Sequence, residues 1–347
     1  MGALLLLCGI GLIVLYSATS GEMAAITRQS IRFGIGFVAL IFLAQIPSKQ
    51  LSNWSPWLYI AGLVLLFVVL AIGYSGKGAQ RWLDLGVFRF QPSEVMKIFL
   101  PMMVAWYFRD KHMPPTLWQI FIALILVAIP AGLIVRQPDL GTAVLIVLSG
   151  LFVIFLAGIA WRLLMIFGGL VLACMPLLWF YLHDYQRQRV LTLLNPESDP
   201  LGTGYHIIQS KIAIGSGGVY GKGWLNGTQS QLDFIPERST DFIFAVFSEE
   251  FGFLGVAFLL FLYAFIVMRG LSIAVRAQDT YSRLLAGSLS LSFFAYFVVN
   301  IGMVSGLLPV VGVPLPLISY GGTSAVTIMA AFGILMSINS HRKLLSP

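Results

Sequence analysis

Five ionisable groups crowd into Pro236-Glu-Arg-Ser-Thr-Asp-Phe-Ile-Phe-Ala-Val-Phe-Ser-Glu-Glu-Phe-Gly252, at the mouth of a long apolar run. The chain around them is 58% hydrophobic and only 10% charged. A charge at membrane depth costs about 3 kcal/mol unless it is paired or wet, so the cluster reads as a working site, with Asp241 the residue to explain. A second set lies upstream, in Lys77-Gly-Ala-Gln-Arg81-Trp-Leu-Asp84 and Gln91-Pro-Ser-Glu94-Val-Met-Lys97. Glu94 and Lys97 are three apart, share a helix face and can pair. Such a pair either docks two helices or lines a polar cavity in which the lysine holds an anion. Asp139, in Arg136-Gln-Pro-Asp139-Leu-Gly-Thr142, reads as a helix cap.

These residues need elements to hold them, and composition names the class. A mean hydropathy of +0.90 with so few charges predicts an all-α, polytopic integral membrane protein forming a single membrane domain over 1–347. Ten apolar runs are expected to span, near 2–18, 29–46, 54–73, 92–108, 117–135, 140–158, 162–183, 241–268, 283–304 and 323–339. The first lacks a basic leader and a small-residue cleavage site, so it reads as a helix rather than a signal peptide. Ten spans put both termini on one side. The connectors there carry Lys49, Arg109, Lys111, Arg162, Arg269, Arg276, Arg283, Arg342 and Lys343 against Asp110 and Asp279, so the formal charge of +7 falls on that side, which is expected to be cytoplasmic. The basic balance suits anionic membrane lipid and gives no reason to invoke nucleic acid. Cys8 and Cys174 lie far apart in apolar runs and read as small core residues.

The far side holds a long extracytoplasmic loop, 184–240, between helices 7 and 8. Its piece from Tyr205 to Ile214, with His206 and Lys211, has the spacing of a helix lying at the membrane surface. The run Gly215-Ser-Gly-Gly-Val-Tyr-Gly-Lys-Gly223 has neither the spacing nor the preceding strand of a phosphate loop and reads as a flexible turn. As one straight helix, 241–268 would measure about 42 Å, which puts Asp241 at headgroup level. Ala245, Ser248, Gly252 and Gly255 follow it on one face, as close helix packing or as a groove for a lipid chain. Glu249 and Glu250 point elsewhere, with no role assigned. The last connector holds Pro309, Pro314 and Pro316, so it must be non-helical backbone buried in protein, as in a re-entrant loop.

The stretches Gln91-Pro-Ser-Glu94, Gln137-Pro-Asp-Leu-Gly141, Pro236-Glu-Arg-Ser-Thr-Asp-Phe-Ile-Phe244 and Gly312-Val-Pro-Leu-Pro-Leu-Ile-Ser-Tyr-Gly-Gly322 resemble the signatures of the SEDS (shape, elongation, division, sporulation) family. The resemblance covers essentially the whole chain and is nearest to the family's elongation members. It implies a multi-pass peptidoglycan glycosyltransferase of the bacterial cytoplasmic (inner) membrane that polymerises lipid II, the undecaprenyl-pyrophosphate-linked precursor, on the outer face. It further implies a class B penicillin-binding protein as transpeptidase partner, beside other elongation-complex proteins. Asp241 matches the family's essential aspartate, and Glu94 and Lys97 its membrane pair.

Joining a 4-hydroxyl to an α-linked anomeric carbon with a β product is one inverting displacement, which needs a single general base. Asp241 is the candidate. The departing pyrophosphate needs cations, for which Lys97, Arg81, Lys211 and Arg238 are the candidates in that order. No metal site is assigned; a divalent cation, Mg or Mn, would share the task. A lipid II flippase or an ion-coupled transporter would use the same residues, but both expect charges at the midplane, whereas these cluster towards the outer face.

Overall fold

The computed structural model describes residues 1–76, 79–84, 86, 89–159, 165, 168, 169, 173, 184–199, 202–232, 234, 235 and 237–341. Its helices are α1 (Gly2–Ala18), α2 (Met23–Ala44), α3 (Ser48–Ile72), α4 (Pro92–Phe108), α5 (Leu117–Val135), α6 (Leu140–Leu156), α7 (Asp184–Leu194), α8 (Thr203–Ser216), α9 (Thr228–Gln231), α10 (Ile243–Arg276), α11 (Thr280–Val304) and α12 (Thr323–Ser340). Nine of the ten expected spans coincide with these helices. The expected span 162–183 lies outside the described residues, as do Lys77, Pro236, Arg342 and Lys343. Six of the helices are long and apolar enough to cross a membrane, so the chain is a multi-pass membrane protein.

One feature departs from a purely helical expectation. The connector after α3 forms a small antiparallel sheet of β1 (Tyr74–Gly76), β2 (Ala79–Asp84) and β3 (Arg89–Phe90), in that order. Leu83 pairs with Phe90 and Asp84 with Arg89. Strands this short show no period in the sequence.

The chain forms two compact units. The first comprises Met1–Arg28, Ile159–Tyr263 and Tyr296–Tyr320; the second comprises Gln29–Gly158, Ala264–Ala295 and Gly321–Pro347. At the centre of the second is α4, packed against α3, α5 and α6. Its Met96, Leu100, Met102, Val104 and Phe108 are buried. Pro92 starts it at a position whose N–H needs no partner. By contrast, Val38, Phe42, Trp57 and Phe67 are exposed on α2 and α3, as expected of side chains that meet lipid.

In the first unit α10 is not continuous. Gly252 has φ 63° and ψ −164°, a conformation essentially confined to glycine, and it breaks the helix. Orphan backbone groups inside a membrane must be paired within the protein. Here the stretch 218–223 pairs them: Lys222 N donates to Glu249 O (3.0 Å) and Gly223 N to Glu250 O (3.0 Å), while Phe253 N donates to Gly218 O (2.9 Å) and Leu254 N to Val219 O (3.1 Å). The glycine run is therefore no free turn but the closure of the break. A Cβ on Gly221 would lie 2.1 Å from Glu250 O, and one on Gly217 2.1 Å from Ser248 O. Residues 305–320 are non-helical, with Val313, Leu315, Leu317, Ile318 and Ser319 buried. Tyr263 donates its hydroxyl to Pro316 O at 2.7 Å, and α1 comes so close that a Cβ on Gly11 would lie 2.6 Å from Leu317 O.

Candidate functional site

Asp241 precedes the first turn of α10 and is half-buried, whereas 242–250 are buried. The preceding turn closes on Glu237, whose carbonyl accepts from Thr240 N (3.0 Å) and Phe242 N (3.3 Å). Three consecutive carbonyls are then held by donors from 300–320: Ser239 O by Tyr320 N at 2.8 Å, Thr240 O by Ser319 Oγ at 2.6 Å, and Asp241 O by Asn300 Nδ2 at 2.9 Å. A Cβ on Gly312 would lie 3.5 Å from Asp241 Oδ2, so the carboxylate rests against the backbone of the proline-rich segment. Sequence reasoning did not single out Asn300, although an amide within the apolar run Phe297-Val-Val-Asn300-Ile-Gly-Met-Val was a readable signal.

The first unit also carries Lys211 and Arg238. Lys211 is exposed on α8 and crosses Gly306, where a Cβ would meet its Cε at 2.4 Å. Arg238 donates to Ser230 O and, through Nη2, to Ser20 Oγ at 3.2 Å. A cation the sequence reading passed over, Arg28, donates to the Tyr320 hydroxyl at 3.1 Å and to Glu22 at 3.1 Å. His206 stacks on Phe242, with ring centroids 5.5 Å apart. Burial holds its imidazole below the ordinary value, with Glu237 and Asp199 pulling the other way.

Below Asp241, Ala245 and Ser248 are buried, and Gly252 is covered: a Cβ there would lie 2.3 Å from Gly221 N and 2.7 Å from Val219 O. Protein backbone therefore fills the Gly252 position of the small-residue stripe. Ser248 borders a cavity of about 220 Å³ lined also by Ile214, Gly215, Gly218, Phe244, Phe253 and Val256. The two glutamates immediately precede the break. Glu249 accepts from Lys222 Nζ (2.8 Å), Thr228 Oγ1 (3.0 Å) and Gln229 N (3.1 Å). Glu250 accepts from Ser17 Oγ. Both carboxylates thus tie the closing segment or α1 to the broken helix.

In the second unit Glu94 Oε1 and Lys97 Nζ pair at 2.7 Å with both side chains about nine-tenths buried. Arg81 Nε lies 3.6 Å from Asp139 Oδ2, which also accepts from Gln91 Nε2 at 3.3 Å. The cap expected of Asp139 is present, its Oδ1 accepting from Thr142 N at 3.2 Å. Arg81, a candidate cation for the pyrophosphate, is engaged with the cap of α6. Among the described residues no three His, Cys, Asp or Glu side chains group so as to hold a metal ion.

A profile of the cell cycle protein family of FtsW, RodA and SpoVE matches residues 1–344. The chain is 57% identical over 335 residues to the peptidoglycan glycosyltransferase MrdB of Escherichia coli (strain K12), covering 96% of this chain and 90% of that protein. Its fold is similar to a chain of a peptidoglycan synthase complex in which polymerization and crosslinking are structurally coordinated, with a TM-score of 0.86 at 33% identity over 99% of this chain and 97% of the other. It is also similar to the rod shape determining protein RodA of Thermus thermophilus, with a TM-score of 0.75 at 27% identity over 98% and 96%.

Proposed function

The chain belongs to the FtsW, RodA and SpoVE family of cell cycle proteins, and on that premise we propose that it is a peptidoglycan glycosyltransferase that polymerises lipid II on the outer face of the cytoplasmic membrane during cell elongation. The 57% identity to MrdB over nearly the full length carries this reading. Asp241 takes the proton of the acceptor's 4-hydroxyl as that oxygen attacks the anomeric carbon of the donor. The bond from that carbon to the pyrophosphate oxygen breaks, its electron pair leaves on undecaprenyl pyrophosphate, and the configuration inverts. Support for Asp241 as base comes from its half-buried position and its fixed backbone. A partly dry carboxylate on a fixed backbone suits proton transfer.

Lys211 and Arg238 offer positive charge in the same unit, and Lys97, already balanced by Glu94, serves the substrate as part of a polar wall rather than as a lone cation. A Mg or Mn ion at the pyrophosphate would rest chiefly on the substrate's own oxygens. The reading also includes ten spans with both termini in the cytoplasm, the loop 184–240 outside, and a class B penicillin-binding protein that crosslinks the new strand beside other elongation proteins.

The test is purified protein given lipid II. Wild type makes glycan polymer, and Asp241→Asn, which keeps shape and hydrogen bonding, makes none while unfolding at the same temperature. Polymer at the wild-type rate from Asp241→Asn removes it from the mechanism. Lipid II transfer across vesicles without any polymer would instead favour a flippase.

A further inference from the structure

We propose that Asn300 and Ser319 are positioning residues that hold Asp241 against the proline-rich segment; the inference rests on the reading of Asp241 as the base. Asn300 is fully buried. Its Nδ2 serves two carbonyls, Asp241 O at 2.9 Å and Val313 O at 2.7 Å. Carbonyls only accept, so the amide must turn its nitrogen to both. One side chain therefore joins the residue that bears the carboxylate to the residue after Gly312, against which that carboxylate rests.

Ser319 does the same one residue earlier. Its hydroxyl donates to Thr240 O at 2.6 Å and accepts from Leu315 N at 2.7 Å. With Tyr320 N on Ser239 O, three successive carbonyls are tied to one segment, which fixes the direction of the Asp241 Cα–Cβ bond. Packing alone does not ask for an amide at position 300. Leucine has the same branched outline of four side-chain heavy atoms, and Asn300 Oδ1 is buried without a partner among the described residues. That orphan acceptor is a cost to the fold that the two donated bonds must offset.

A base displaced by about 1 Å can cost about 100-fold in rate while substrate binding persists. Purified full-length Asn300→Leu given lipid II is therefore expected to lose about 100-fold in kcat with KM near wild type and no matching loss of folded protein. Ser319→Ala, which removes one strap and little volume, is expected to show the same pattern with about a 10-fold loss. Wild-type kcat in folded Asn300→Leu overturns the proposal, as does a rate loss fully accounted for by unfolded protein. Should Asn300→Leu not fold, Ser319→Ala decides, and wild-type kcat there overturns it. An active Asp241→Asn sinks the base itself. An inactive Asp241→Asn beside fully active Asn300→Leu and Ser319→Ala leaves the base standing and removes only the straps.

Discussion

Glu94 and Lys97 sit 2.7 Å apart with both charges taken out of water, an arrangement in which each partner is the chief reason the other is tolerated. Removing one partner of a buried pair typically costs about 3–5 kcal/mol, because the remaining charge is left uncompensated. Glu94→Gln or Lys97→Met alone should lower the thermal unfolding midpoint, and the swap Glu94→Lys with Lys97→Glu should recover much of it. Full recovery is not expected, since Glu94 lies in the first turn of α4 and a lysine there opposes the helix dipole. Activity should stay low in the swap, because the cation has moved one helical turn. A swap no more stable than the singles would show that the two charges do not depend on each other. This pair was legible in the sequence because the i,i+3 spacing and the apolar surroundings leave a charged residue little choice of partner. The ties on the Asp241 turn were not, since they join 239–241 to residues 59 or more positions away.

At the scale of elements, the spans were readable because a membrane demands one long apolar helix after another. Expected ends and observed ends agree at α1, α4 and α5. The break in α10 was hidden, because its cause lies about thirty residues upstream: a straight helix from 241 was the simplest reading, and only the paired stretch 218–223 makes Gly252 tenable. The glycines of that stretch are accordingly unequal. At Gly221, φ is 80° and a Cβ would lie 2.1 Å from Glu250 O. Gly221→Ala should therefore cost about 2 kcal/mol or more. A Cβ on Gly215, in α8, meets nothing within 4 Å, so Gly215→Ala should be neutral or stabilising by up to about 1 kcal/mol. Thermal unfolding of the two variants side by side checks this; equal midpoints would mean that the stretch is not the closure of the break.

For the whole molecule, net charge and span count together predict which face would meet substrate. The chain carries a formal +7, and Lys49, Arg109, Lys111, Arg269, Arg276 and Arg283 lie in connectors that the positive-inside rule would put in the cytoplasm. On the proposed topology the loop holding 184–240 would lie outside, with Asp241 at its end, where a lipid-linked sugar on the outer leaflet would meet it. That orientation can be read directly. In a cysteine-free background, Gln188→Cys on the exposed face of α7 and Lys111→Cys on the exposed connector between α4 and α5 place one thiol on each expected side. A membrane-impermeant maleimide applied to intact spheroplasts should label Gln188→Cys at once and Lys111→Cys only after permeabilisation. Labelling of Lys111→Cys alone from outside would invert the topology and put the Asp241 turn in the cytoplasm, where a polymer built there would have no route to the wall. Labelling of both sites from outside would instead mean an even number of spans between 111 and 188, and the expected span over 162–183 would have to be withdrawn or joined by another.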